Sequence, residues 1–299
     1  MTLTIRRAET ADRQRILEIS LQIWDGHDYV PSVIDQWLAD DASELAVAVA
    51  EDDVIAFARR TWLMPGYAWL QGIRSDPAHR GRGAGRAITE HFIRQAGREG
   101  ADTIALSTYI DNAASIHIIT SYGFRRTASF VLAETERIEP GLPATRRAAI
   151  RSVDIALARE FVGGSAWNMA ANGFYVCDWT VYPFARSPET ALARTPDRVG
   201  LFDKNDTLRS LLCLSDVEED GYAFVSFLDG HPGDFASLLD YATRELGLTK
   251  GAAMLPQQAD LCHPAYEFLV RSGWTPWRDG TPDVFAYELT IAPTRGPTV

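Results

Sequence analysis

Arg80-Gly81-Arg82-Gly83-Ala84-Gly85-Arg86 is the stretch on which the fold turns. Residues 68–75 before it read as a strand. Residues 85–99 after it read as a helix, because Ile88, Phe92 and Ala96 recur four apart and Gly100 sits where a C-cap belongs. A glycine-rich turn between strand and helix lets several backbone N–H groups converge on one anion, and the helix start adds its partial positive charge. Arg74, Arg80, Arg82 and Arg86 can neutralise further charge, so the stretch reads as a diphosphate cradle. A flexible basic arm would need neither flanking element. A dinucleotide-binding unit would open on βαβ, whereas a hairpin comes first here.

Working outward, residues 3–7 read as a strand, and Thr10 as the N-cap of a helix that carries Ile16, Ile19 and Ile23 on one face. A second helix turns Ile34, Trp37 and Leu38 inward, and residues 44–50 and 54–64 form a hairpin across acidic turn residues. Beyond the cradle and its helix, residues 103–108 return as a strand. Asn112 caps a short helix that stops at Gly123, and residues 124–133 are strand again.

Glu139-Pro140-Gly141-Leu142-Pro143 has linker composition. After it, Ile150-Arg151-Ser152-Val153-Asp154 echoes Ile5-Arg6-Arg7-Ala8-Glu9, and Ser272-Gly273-Trp274 echoes Tyr122-Gly123-Phe124 near the end of each half. The chain is therefore expected to hold two domains, 1–138 and 139–299, built as two copies of one α+β fold.

Composition narrows the class. With 46% hydrophobic and 23% charged residues, both halves can bury a core. No apolar run reaches the length of about 18 residues that a membrane helix needs, and the first residues lack a signal-peptide core, so a cytoplasmic protein is expected. The three cysteines, Cys177, Cys213 and Cys262, have no metal-ligand spacing and read as reduced core thiols; no metal is assigned. A net charge of −11 disfavours nucleic acid and anionic membranes as partners.

The cradle resembles the acyl-CoA signature of the GNAT superfamily, Arg/Gln-x-x-Gly-x-Gly/Ala, with Arg80, Gly83 and Gly85 in the defining positions. Asn112-Ala113-Ala114-Ser115, followed by Gly123-Phe124, is similar to a second segment of that family. The resemblance covers residues 3–133 and implies tandem GNAT folds, each a mixed, mostly antiparallel sheet flanked by helices. It implies acetyl-CoA, or another acyl-CoA, as co-substrate. Ile73, Arg74, Ser75, Arg80, Gly81, Arg82, Gly83, Ala84, Gly85, Arg86, Asn112 and Ser115 would hold it. The backbone N–H of Ile73 would be the oxyanion donor.

Many family members carry a Tyr seven residues after the Asn. Here Ile119 occupies that position, and Tyr122, one turn on, is the candidate to protonate the departing thiolate. No Glu stands on the third strand, where Gln71 faces the acceptor side, so the base is a water chain or an acceptor-wall residue. That wall is expected at Trp24-Asp25-Gly26-His27-Asp28-Tyr29, with Asp25 or Asp28 pairing an ammonium and Trp24, His27 and Tyr29 beside it. With Trp37-Leu38, this loop resembles a segment of histidine N-acetyltransferase-like proteins.

In the second half, Asp229-Gly230-His231-Pro232-Gly233-Asp234 stands where the cradle would be. Two aspartates there repel phosphate and Pro232 removes a donor, so the copy is degenerate and is expected to help form the acceptor pocket. The expected activity is acetyl transfer to a primary amine of a small metabolite, by a monomer or homodimer. Two alternatives stay open: an aminoacyl-tRNA-dependent transferase, or a CoA-binding sensor without chemistry.

Overall fold

The computed structural model describes residues 3–138, 149–258 and 261–291; the linker expected at 139–143 lies outside the described residues, as does the side chain of Cys262. Contacts divide the chain into two compact units. One groups Met1–Leu106, Asn112–Arg125 and Tyr287–Val299, the other Ser107–Asp111 and Arg126–Ala286.

The first unit runs β1 (Thr4–Arg7), α1 (Arg13–Ser20), α2 (Val30–Ala39), β2 (Glu44–Ala50), β3 (Asp53–Met64), β4 (Tyr67–Ser75), α3 (Ala84–Arg98), β5 (Thr103–Tyr109, of which the part to Leu106 groups with this unit) and α4 (Ala113–Ser121). Strands β1 to β4 pair antiparallel in chain order, and β5 joins β4 in parallel. Alternation builds the core: Ile16 and Ile19 of α1 with Ile34 and Trp37 of α2 close over Leu45, Val47, Val54 and Phe57 of β2 and β3. On α3, Ile88, Phe92 and Ala96 are fully buried, as their spacing predicts.

Two local expectations fail. Thr10 opens a 3-10 turn and is not the cap of α1; the carboxylate of Asp12, held by Arg6 at 2.6 Å, accepts from Glu9 N at 2.7 Å instead. Helix α1 stops at Ser20, so Ile23 lies outside it and is half-buried.

The second unit takes in β6 (Arg125–Thr135) from Arg126 onward. It continues through β7 (Ile150–Ser152), α5 (Ile155–Gly163), α6 (Ala166–Ala170), β8 (Phe174–Cys177), β9 (Thr180–Pro183), α7 (Pro188–Leu192), β10 (Asp197–Phe202), β11 (Leu208–Leu214) and β12 (Tyr222–Gly230). After these come α8 (Phe235–Tyr241), β13 (Lys250–Gln258), β14 (Leu261–Cys262), α9 (Pro264–Arg271), β15 (Thr275–Pro276) and β16 (Val284–Thr290). Its strand order is β6-β13-β12-β11-β10-β7, with β12 and β13 parallel. The last strand is shared out: Val284–Ala286 group with this unit and Tyr287–Thr290 with the first. The units are thus interleaved, whereas a cut at 138 would have kept β6 with the first.

The internal repeat has a structural counterpart. Helices α4 and α9 end alike: Phe124 N donates to Ile119 O at 3.2 Å and Trp274 N to Leu269 O at 3.0 Å, across Gly123 and Gly273 at φ 90° and 93°. Only a residue without Cβ takes that conformation at little cost, which explains the shared glycine. The fold is mixed α+β, with a mostly antiparallel sheet flanked by helices in each unit.

Phe92 has no exposure left to lose. Phe92→Ala is expected to destabilise the protein by about 3–5 kcal/mol and Ile88→Val by about 1 kcal/mol, read from urea denaturation midpoints at unchanged slope.

Candidate active site

Strand β4 carries an irregularity that makes a crevice. Its register with β3 runs Phe57↔Arg74 and then Arg59↔Gln71, which leaves one extra residue on β4 at Gly72 and Ile73. Gly72 sits at φ 63°, and a Cβ there would lie 2.7 Å from the Trp37 ring. The indole of α2 thus presses on the strand and holds the bulge. On the other edge, β4 pairs with β5 only over Tyr67–Trp69 and then runs on to Ser75 without that partner. The peptide of Ile73 therefore sits where β4 has left both neighbours' registers.

The cradle follows. Asp76 ends β4, accepts from Ala78 N at 2.8 Å, and is only 3% exposed. Arg15 reaches it from α1 at 2.5 Å while also gripping Asp53 at 3.0 Å, and His79 Nδ1 lies 3.2 Å away. Burial alone would raise the Asp76 carboxyl, but the Ala78 N–H, Arg15 and His79 outweigh it and hold it below the usual aspartate value. From this anchor the chain passes through exposed Arg80, Gly81, Arg82 and Gly83 into α3. Gly81 and Gly83 have φ 79° and 82°, with open space where a side chain would stand. Gly83 is the N-cap and offers the first amides of α3 no side-chain acceptor. Ala84 is buried, and a Cβ on Gly85 would face Ser75 Oγ at 3.8 Å.

Two predicted site residues meet each other. Arg74, expected to reach phosphate, and Asp28, expected to hold an ammonium, form a two-pronged pair at 2.9 and 3.1 Å. Ser20 Oγ donates to the same carboxylate at 2.7 Å. Arg74 also donates to Ile73 O at 3.1 Å and lies 4.5 Å from the Trp24 ring centroid and 5.7 Å from that of Tyr29. The pair ties the Trp24–Tyr29 loop to the bulged strand, which leaves Asp25 as the exposed carboxylate of that loop. The loop itself is tight: Trp24 and Asp25 have φ 46° and 54°, and His27 N donates back to Trp24 O at 3.0 Å. Trp24 and Tyr29 are 48% and 43% exposed, and Gln71 is half-buried on β4.

Asn112 does cap α4, accepting from Ser115 N at 3.3 Å. Tyr122 ends that helix with its hydroxyl 3.4 Å from Arg86 O and 3.3 Å from Glu90 Oε2, both on α3, and with the Arg86 guanidinium over its ring at 5.5 Å. Burial, with Glu90 adding to it, raises the phenol above its ordinary value, so it keeps its proton at neutral pH.

Sequence reasoning missed Trp37, Asp76 and Arg15 as parts of the site. Gly72 within a strand pattern was a signal for close approach, and Asp76-Pro77 for a capped turn. Arg15 had none, because its partners are distant in sequence.

The second unit fills its own loop. Asp229 accepts from Gly230 N at 2.6 Å and Trp167 N at 2.8 Å, with His263 at 3.2 Å. Asp234 takes Ser210 Oγ and Arg209, at 2.9 and 2.8 Å. Carboxylates of the chain thus use donors that an external anion would need. Among the described residues no cluster of His, Cys, Asp or Glu could hold a metal ion, and no helix is long and apolar enough to cross a membrane.

Because the native carboxyl of Asp76 is depressed, its stabilising effect is present above the ordinary value of 3.8 and is lost as pH falls through the native one. Asp76→Asn is expected to lower Tm at neutral pH and to reduce the further loss seen at about pH 3 by calorimetry. An unchanged pH profile would contradict the anchoring role.

The Acetyltransferase (GNAT) family model matches residues 12–124. An uncharacterised protein of Mycobacterium leprae is 31% identical over 120 residues, 39% of this chain and 33% of the relative, so the match spans a third of that protein's length. N-alpha-acetyltransferase RimI of Mycobacterium tuberculosis is 29% identical over 128 residues, 42% of this chain and 79% of the relative. Two solved structures align over nearly the whole chain. A tandem GNAT protein from the clavulanic acid biosynthesis pathway has TM-score 0.62 at 15% identity, covering 98% of this chain and 100% of that one. A GCN5-related N-acetyltransferase from Sphaerobacter thermophilus has TM-score 0.64 at 14% identity, covering 97% and 96%. The chain as a whole is similar in fold to tandem GNAT proteins, and its residues 12–124 match the Acetyltransferase (GNAT) family model.

Proposed function

We propose that the first unit transfers the acetyl group of acetyl-CoA to a primary amine of a small metabolite, an amino acid or a comparable amine. The observation that carries this reading is the bulge at Gly72 and Ile73 on a strand that leads, through the turn anchored by Asp76, to an open, glycine-lined helix start. The residues present fit the cofactor: Gly81, Gly83 and the first amides of α3 suit a diphosphate, with Arg80, Arg82 and Arg86 around it. The strand edge from Leu70 to Ser75 offers backbone groups to the pantetheine arm.

Acetyl-CoA supplies an activated thioester carbonyl to the amine. The Ile73 N–H holds the negative charge that grows on the carbonyl oxygen, and Arg74, clamped by Asp28, keeps the Ile73 peptide in place through its carbonyl. Asp25, His27 and the exposed faces of Trp24 and Tyr29 receive the amine as a cation. No carboxylate stands on β4, so the amine's proton leaves through water beside Gln71. Tyr122 is the protonated group assigned to the departing thiolate. A free thiol has a pKa of about 8.5, so its share of the rate is modest. In this reading the second unit binds no CoA, since Asp229 and Asp234 already use its donors.

Acetyl-CoA is expected to raise Tm by ligand linkage, equivalent to about 2.7 kcal/mol at a hundred times Kd. Gly83→Ala and Gly83→Glu share the backbone strain at φ 82°, and only the second adds charge and bulk to the cradle. Gly83→Ala should keep a reduced shift, whereas Gly83→Glu should abolish both the shift and thiol release across a panel of amino acids. No shift for the native protein at millimolar acetyl-CoA would overturn the proposal. Tyr122→Phe is expected to lower kcat about tenfold while leaving the acetyl-CoA shift intact.

A further inference from the structure

The second unit contains a cavity of about 550 Å³, within the range of small-molecule sites. It is lined by apolar Phe285 and Ile110 and by polar Arg126, Asn172 and Gln257. The polar groups are held in place but leave bonding capacity unused. The Arg126 guanidinium lies 4.6 Å from the Phe285 ring centroid, and among the described residues it makes no salt bridge. Asn172, itself at φ 54°, donates its Nδ2 to Thr127 O at 2.9 Å, which fixes the amide and leaves its Oδ1 as an acceptor. Gln257 Oε1 is buried with no hydrogen-bond partner among the described residues. A buried carbonyl oxygen without a partner is destabilising, so it is a natural place for a ligand donor.

We propose that this cavity binds a small carboxylate that also carries an N–H and an apolar body, the chemistry of an amino acid or its N-acyl derivative. Arg126 receives the carboxylate, with stacking on Phe285 holding its planar fork ready. Gln257 Oε1 and Asn172 Oδ1 accept from the N–H, and Ile110 and Phe285 cover the apolar part. This goes beyond acetyl transfer, because recognition of the carboxylate uses none of the residues assigned to the cradle or to Ile73.

The test is calorimetric titration of the full chain with two matched probes. Hippurate carries a carboxylate, an amide N–H and a phenyl ring; hippuramide keeps the last two and lacks the charge. Hippurate should bind at least about tenfold tighter than hippuramide. Arg126→Gln should remove that preference, and Gln257→Leu should weaken both probes. Equal affinities, no measurable binding of hippurate at millimolar concentration, or an Arg126→Gln variant that keeps the preference would each overturn the proposal. The acetyl-CoA melting shift, measured on the same variants, is expected to be unchanged and reports the fold and the transfer site separately.

Discussion

The Trp37 ring against the backbone of Gly72 is the contact on which the proposed chemistry of the first unit depends. A Cβ at 2.7 Å from an indole carbon is not tolerated, so position 72 has no side chain and the strand bends around the ring. The bend puts an extra residue into β4, and the extra residue breaks register with β3. A strand that stayed in register would spend its amides on its neighbours. Trp37 thus joins the hydrophobic core, where it packs with Ile16, Ile34 and Phe57, to the strand that carries the proposed oxyanion donor.

Charge is used with the same economy of position. In a chain of net charge −11, three arginines near the site form ion pairs: Arg15 with Asp53 and Asp76, Arg59 with Asp40, Arg74 with Asp28. These pairs brace the elements that meet at the cradle. Arg80 and Arg82 lie on the exposed turn itself. The second unit shows the alternative: Asp229 and Asp234 accept from its own loop and neighbouring strand, and what is open in one copy is closed in the other.

Both copies keep the same scaffold devices although their loops at 80–86 and 229–234 differ. The parallel pairs β4–β5 and β12–β13, and the glycine ends of α4 and α9, serve chain geometry in either case. Asp229 and Asp234, by contrast, change only the electrostatics of a turn. That is why the echo between Gly123-Phe124 and Gly273-Trp274 is readable in the sequence while the phosphate signature has a single copy.

The sequence by itself determined the periodic elements, the repeat and the cradle, because each rests on neighbours in the chain: Ile88, Phe92 and Ala96 on one helical face, Gly81 and Gly83 in one turn, Asn112 ahead of its helix. Only the tertiary structure decided the pairings. Asp28 and Arg74 each read alone as a ligand-binding charge, and folding brings them to each other across 46 positions. It likewise placed Trp37 on Gly72, directed Tyr122 to Glu90, and put the last strand's end with the first unit. Those outcomes depend on distances between residues remote in the chain, and local periodicity and turn chemistry carry no information about them.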